Sequence, residues 1–326
     1  MKLGKQQKYL LLAITIIIVI VYYLVFVKKS YVTSVLARKS GFFSMLFFTF
    51  NHAIYANVNH LNFRIDSEKW LFKYKDGWTD YFEPYTIQNQ LQIFPINTMY
   101  PNTLADYTIA DYKQIIPHIY RYNKVTKEYI ESTRRRINLP DVYDAFYIRR
   151  GDKIISGESK HVGVQEYVDL LYSRNPHANV VFIQTDDYGV IEEIMEYVRK
   201  LNRHLDIRTL CKKSERGTIV FNGCKNGENT NPKGSKEEEY MQQNKVHFEK
   251  NKTIEQLNPT EMYEHIITMI TSIEFVCKSN ICVTDYQSNV GRFIKLFHSK
   301  SSNVINVIEP EKDVDYTKKI CPAHSF

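Results

Sequence analysis

Hydrophobic positions along this chain change their spacing several times, and each change marks an element. Residues 9–27, "YLLLAITIIIVIVYYLVFV", form an unbroken apolar run without charge, Gly or Pro. The run is long enough to cross a bilayer as a helix. From Gly41 a loop enters "FFSMLFFTFNHAIYA", whose apolar content predicts a buried helix. "HLNFRID" then places Leu61, Phe63 and Ile65 at alternate positions, the period of a strand. After an irregular aromatic region, residues 106–138 read as mostly helical, interrupted at Pro117 and ending at "INLP".

The second half is more regular. Strand "VYDAFYI" leads through a charged loop to helix "VQEYVDLLYSR". Strand "NVVFIQ" leads through "TDD" to helix "VIEEIMEYVRKL" and strand "DIRTL". Later, helix "PTEMYEHIITMITSIEFV" precedes strand "NICVT", helix "SNVGRFIKLFH" and strand "NVINVI". Such alternation predicts an α/β fold, a parallel sheet covered by helices on both faces. Residues 212–256, rich in Lys, Glu, Asn and Gly, show neither period and read as a long polar insertion near the crevice. No repeat of solenoid period is visible. The expected organisation is a tail (1–8), a transmembrane segment (9–27), a short stem (28–40), a first half (41–140), a second half (141–308) and a C-terminal tail (309–326).

Composition narrows this picture only in places. With 326 residues, 44% hydrophobic and 24% charged, the chain is an ordinary globular protein. Its net charge of +7 is dispersed and suits an anionic ligand or a membrane surface without choosing between them. Tyr9, Tyr22 and Tyr23 stand near the ends of the apolar run, where interfacial aromatics belong. "VFVKKSYVTSV" offers no convincing small-x-small cleavage site, which favours an uncleaved signal anchor over a signal peptide. The expected topology is a cytosolic N-terminus and a luminal body. Cys211, Cys224, Cys277, Cys282 and Cys321 lack the paired spacing of a zinc site. Cys211 with Cys224 would close a short loop in an oxidising lumen, and scattered core thiols explain the set equally well.

Candidate chemistry gathers at three strand ends: "RRGDK" (149–153), "TDD" (185–187) and "TDYQSNVGR" (284–292). In an open α/β sheet the carboxyl ends of the strands form the ligand crevice, so Arg149 and Arg150 place two fixed cations there. Guanidinium presents a planar fork suited to phosphate oxygens. Ser288, Asn289 and Val290 fall at a helix N-terminus, where free N–H groups and the helix dipole favour phosphate. Taken singly, each has a plain structural reading: a surface salt-bridge loop for "RRGDK", a helix N-cap for "TDD". Neither GxxxxGK[ST] nor GxGxxG occurs, which argues against triphosphate hydrolysis and dinucleotide binding. Arg134, Arg135 and Arg136 read as a solvated helix face rather than a nucleic-acid contact. No HExxH is present, His161 reads as a loop or N-cap residue, and Asp313-Val314-Asp315 in the polar tail reads as chance acidity. Asn251-Lys252-Thr253 is a glycosylation sequon, usable if that loop is luminal.

These residues carry a resemblance. "YIRRGDK" resembles the H-V-R-R-T-D-K motif of the α1,6-fucosyltransferase family, which core-fucosylates N-glycans. "VVFIQTDDYGVIEEI" resembles that family's strand ending in A-T-D-D, and "SIEFVCKSNICVTDYQSNVGRFIKLF" its segment around S-S-Q-V-C-R. "SEKWLFKYKDGWTDYFEP" is similar to its S-Q-N-W…G-G-W-E-T-V-F-R-P. The resemblance runs in order from Gly41 to Ile308. It implies a GT-B-like fold of two Rossmann-like halves, the first acceptor-side and the second donor-binding. GDP-fucose would be the donor, with inversion at the anomeric carbon, no cofactor and no metal.

Residue by residue, the resemblance implies that Arg149 holds the β-phosphate and Arg150 supports its loop. Tyr147 and Asp152 flank this donor site, and Ser288, Asn289 and Val290 contact the diphosphate. Gly77 and Trp78 lie beside the donor, while Asp186 and Asp187 line the crevice. Lys153 and Glu158 activate the acceptor hydroxyl, on a glycan or glycoprotein in a Golgi or other secretory-pathway membrane. Some residues depart from the family. Tyr147 replaces a histidine, and Ser272 replaces an aspartate for which Glu274 is close enough to substitute. Thr284 and Gly291 stand where the family bridges two cysteines. "RRGD" and "CKSNI" also echo α1,2-fucosyltransferases. Protein O-fucosylation, and a membrane-anchored glycan-binding protein without turnover, are the remaining readings. The residue types suit the chemistry: arginine and backbone donors stabilise a departing diphosphate, and a carboxylate base accepts the acceptor's proton.

Overall fold

The computed structural model describes residues 4–6, 9, 12–18, 31–37, 40–87, 107–150, 161–215, 224–225, 228–229 and 257–310. Its first half holds β1 (Tyr31–Val35), α1 (Phe42–Val58), β2 (Asn62–Asp66), β3 (Thr86–Ile87), α2 (Ile109–Ile119) and α3 (Lys124–Arg136). The second half runs β4 (Asp144–Ile148), α4 (Val164–Arg174), β5 (Val180–Thr185), α5 (Tyr188–Lys200) and β6 (Asp206–Thr209). A small pair, β7 (Cys224–Lys225) and β8 (Glu228–Asn229), follows. The half ends with α6 (Pro259–Lys278), β9 (Cys282–Thr284), α7 (Asn289–Phe297) and β10 (Val304–Asn306).

The second half is the doubly covered sheet that the alternation predicts. Its five strands lie in the order β10-β9-β4-β5-β6, every neighbouring pair parallel. Every residue of β4 is buried, as a central strand with helices on both faces requires. Side chains alternate accordingly. Ala145, Tyr147 and Phe182 join α6 and α7 in one core cluster, whereas Phe146, Ile148, Val181 and Ile183 join α4 and α5 in the other. Polar caps stop the helices where the sequence changes character. Asn258 and Glu261 form a reciprocal box at α6 with Pro259 at its first turn, and Asp187 and Ser288 cap α5 and α7.

The first half differs from a full Rossmann-like unit. Among the described residues it has three strands, β1 and β2 parallel and β3 antiparallel. Residues 31–35, expected in a stem, are instead β1, so this half begins before Gly41. Val32, Ser34 and Leu36 all face inward. Ser34 hides the strand period from the sequence, and its hydroxyl is satisfied at 3.1 Å by both Thr49 and His52. The break in the 106–138 region falls at Tyr120–Asn123 rather than at Pro117, which lies inside α2. Aromatic contacts join the halves: Phe43 and Phe50 of α1 meet Phe293 of α7, and Tyr74 and Tyr81 meet Tyr263 of α6.

Among the described residues no helix is long and apolar enough to cross a membrane. The run 9–27 falls partly outside them; Leu12–Ile18 is helical and exposed. Cys211, Cys277 and Cys282 are free, buried thiols, so Cys211 forms no bridge to Cys224. Most of the 212–256 insertion lies outside the described residues, as do Asn251 and the Asp313–Asp315 stretch.

Candidate active site

β9, β4 and β5 are consecutive parallel strands, so the three charged motifs that follow them open on one edge of the sheet. The fold therefore assembles what the sequence scatters over residues 149–292.

Asp186 organises the centre. One carboxylate oxygen accepts the Arg150 backbone N–H at 2.8 Å, and the other meets Arg149 Nη1 at 3.2 Å. Asp186 is buried, while the Arg149 side chain keeps 19% of its surface open. A buried carboxylate thus aims a partly exposed guanidinium. Arg150 is almost wholly buried; its Nη1 donates to the Val162 carbonyl at 2.9 Å, tying the start of the charged loop to its end. Among the described residues its Nη2 has no hydrogen-bond acceptor, and it lies 3.9 Å from Glu193 Oε2. Asp187 caps α5, accepting the Gly189 N–H at 2.8 Å.

On the other side of β4 the chain turns from β9 into α7. Ser288 caps that helix through Gly291 N–H at 3.0 Å, and Asn289 and Val290 form its first turn. Arg292 holds the approach in shape, donating to the carbonyls of Tyr286 and Gln287 and to Asn289 Oδ1. Gly291 is obligatory, because any Cβ there would overlap the Asp285 carbonyl oxygen. The family's bridging cysteine has no room. Tyr147 sits between the two sides: its hydroxyl neighbours Ser288, and Arg149, Asp186 and Asp285 all act on it. Burial raises its pKa, keeping the phenol neutral.

Other expected residues are placed elsewhere. Gly77 takes a positive φ of 77°, with no space for a Cβ beside Ser67. The Trp78 ring is buried, stacks on Phe82 at 4.3 Å, and donates its indole N–H to the Glu83 carbonyl. Both serve the first half's aromatic core. Ser272 is buried in α6. Glu274 does not stand in for the aspartate; it accepts from Tyr122 at 3.1 Å, pairs with Lys278, and is raised in pKa by burial. His161 is an exposed loop residue. Asp152, Lys153 and Glu158 lie outside the described residues. Among the described residues no group of three or more His, Cys, Asp or Glu side chains is arranged to hold a metal.

Three further residues are given no role by the resemblance. Asp285 is buried at the end of β9, raised in pKa by burial, and accepts the Gln287 N–H at 2.6 Å. Lys212 follows β6, and His265 of α6 is lowered in pKa by burial and by the Arg149 and Lys212 cations. Only Asp285, inside a quoted strand end, could have been suspected from the sequence.

Comparison with solved structures places this arrangement. A NodZ α1,6-fucosyltransferase soaked with GDP-fucose matches over 87% of this chain and 98% of its own, with a TM-score of 0.53 and 11% identity. The fucosyltransferase NodZ from Bradyrhizobium matches over 87% and 97%, with a TM-score of 0.51 and 12% identity. The chain has a fucosyltransferase fold. A NodZ structure co-crystallised with GDP gives the same TM-score of 0.51, over 86% of this chain. No protein-family model and no curated protein matches the chain.

Proposed function

We propose that this protein is a fucosyltransferase that takes GDP-fucose as donor and transfers the sugar, with inversion, to a glycan hydroxyl, in an α1,6 linkage on an N-glycan. The observation that carries the reading is the pairing of Arg149, aimed by Asp186, with the Ser288-capped N-terminus of α7 on adjoining strand ends. A departing diphosphate develops negative charge, and fixed N–H donors and a guanidinium meet it without reorganisation. No metal is required in this scheme. Glu158, together with Lys153, activates the acceptor hydroxyl, the carboxylate taking its proton.

The same reading puts the chain in a secretory-pathway membrane as a single-pass type II protein, its catalytic part luminal. The exposed, apolar, helical Leu12–Ile18 supports this, since no described residue covers it.

A GDP-release assay with several GDP- and UDP-sugars tests the donor. The expected result is release from GDP-fucose, dependent on added glycan acceptor and nearly unchanged by EDTA. Binding of GDP without turnover would favour a glycan-binding protein of the same fold, and activity abolished by EDTA and restored by Mn²⁺ would remove the proposed charge-neutralising site.

A further inference from the structure

A positive side chain near a helix N-terminus opposes the helix dipole, whose N-terminus is itself positive. Arg292 stands there, in the first residues of α7, so the helix alone gives no reason for it. The turn before the helix does. Arg292 Nε donates to the Tyr286 carbonyl at 2.9 Å, Nη2 to the Gln287 carbonyl at 3.3 Å and Nη1 to Asn289 Oδ1 at 3.3 Å. Its backbone N–H takes the next carbonyl, that of Ser288, at 3.1 Å. One residue therefore holds three consecutive carbonyls. In a trans peptide the N–H points opposite to the C=O of the same unit, so the N–H groups of Gln287, Ser288 and Asn289 are turned away from it. Asp285 Oδ1 accepts that of Gln287 at 2.6 Å. The first N–H groups of a helix have no partner within it, and Ser288 Oγ takes that of Gly291. What remains is a short row of donors, Ser288, Asn289 and Val290, on the strand end next to the one that carries Arg149.

Thr284 is a second, independent sign of an outside partner. It ends β9 in register with Tyr147, it is buried, and among the described residues its hydroxyl has no hydrogen-bond partner. Strand alternation puts it on the face of Cys282, which packs in the core cluster shared with α6 and α7. A buried hydroxyl left unbonded costs stability, and a binding edge is one place where that cost is tolerated.

We infer that Arg292 is a positioning residue of the diphosphate site. It sets the direction of the Ser288 and Asn289 N–H groups by holding the carbonyls behind them, and it does not itself touch the phosphates. This rests on the donor reading. The fork carries the role more than the charge does: three donors at fixed angles span three acceptors, which a single ammonium cannot. The diphosphate then meets N–H dipoles already oriented toward it, together with the Arg149 guanidinium.

Calorimetric titration of the full chain with GDP, in wild type and in Arg292→Lys, tests this. The Kd of Arg292→Lys should rise about tenfold, the lower end for misplacing one hydrogen bond to a charged group, with the stoichiometry of wild type. A Kd within about twofold of wild type overturns the inference and leaves the donor reading standing, since charge alone would then suffice. A lowered stoichiometry at unchanged Kd also overturns it, being the mark of a residue that only keeps the protein folded. Failure of the wild-type protein to bind GDP overturns both. If Arg292→Lys does not fold, Asn289→Ala decides, because it removes one acceptor from the fork and no charge. It should weaken GDP binding about threefold, within the range for one neutral hydrogen bond, and an unchanged Kd there rejects the proposal.

Discussion

The two ends of the five-stranded sheet handle buried charge in opposite ways. At the amino end, Asp144 of β4 is surrounded by neutral donors, Asn175 Nδ2 at 2.7 Å, Ile281 N–H at 3.1 Å and Asn280 Nδ2 at 3.4 Å. At the carboxyl end, Asp186 of the next strand is answered by an arginine whose guanidinium stays partly open. The histidines repeat the contrast. His298, near the amino end, accepts the Lys300 N–H on Nδ1 and faces the Ser279 hydroxyl through Nε2. His265, by contrast, is lowered in pKa by burial and by the Arg149 and Lys212 cations. One end is closed by complementary amides and serves stability. The other sets a partly exposed guanidinium against a buried carboxylate, the arrangement that would leave a cation open to an anionic ligand.

The sharpest way to break this contrast is at Arg149. Arg149→Ala should lower transfer by about 10²–10³-fold, the scale for losing one preorganised donor to a developing anion. Arg149→Lys keeps the charge, loses the fork and should fall between. Both should melt close to wild type. Kinetics on folded variants, beside calorimetric GDP binding, check this; Arg149→Ala binding GDP as tightly as wild type would remove the phosphate role.

Gly291 tests how closely the α7 N-terminus is built. An added methyl would overlap the Asp285 carbonyl oxygen, and backbone cannot yield as a flexible side chain does. Gly291→Ala should shift the first turn of α7, weakening GDP binding about tenfold and costing about 1–3 kcal/mol of stability by overpacking. Unchanged binding in a folded Gly291→Ala protein would mean that this turn does not touch the ligand.

Much of this arrangement was legible. Apolar runs such as "DAFYI" and "VVFIQT" announce strands buried on both faces, and parallel pairing forces whatever follows them onto one edge. What stayed hidden depends on partners. β1 went unread because Ser34 occupies an inward position and is acceptable there only through Thr49 and His52. For Trp78, placed beside the donor by the resemblance, the sequence does not reveal that its ring stacks on Phe82 and its indole N–H donates to the Glu83 carbonyl.

At the closed end the expected losses are structural. Asp144→Ala leaves the Ile281 N–H and the Asn175 amide without their acceptor, a cost of about 1–3 kcal/mol for buried donors. Urea unfolding should register it, and kcat/KM of the surviving folded protein should stay within twofold of wild type, a tolerance of about 0.4 kcal/mol. A kinetic defect as large as that of Arg149→Ala would erase the distinction between the two ends.

The smallest effect concerns pH and His298. Burial lowers its pKa, outweighing the backbone hydrogen bonds that favour its protonated form. In the unfolded chain a histidine titrates near about 6.5, so below that pH the unfolded state binds a proton that the folded state refuses. Stability therefore falls as pH drops through the unfolded value, and the loss levels off only below the folded one. Above about pH 7.5 both states are neutral at this site, and its contribution no longer changes with pH. His298→Gln retains an amide that can bond Lys300 or Ser279 and cannot take up the proton. It should lower stability at pH 8, because its geometry is imperfect, while reducing the slope of unfolding free energy between pH 7 and 5. Urea titrations across that range measure the slope in both proteins. An unchanged slope would show that His298 takes up its proton in the fold as readily as in the unfolded chain, and the closed end would then hold a charge at low pH after all.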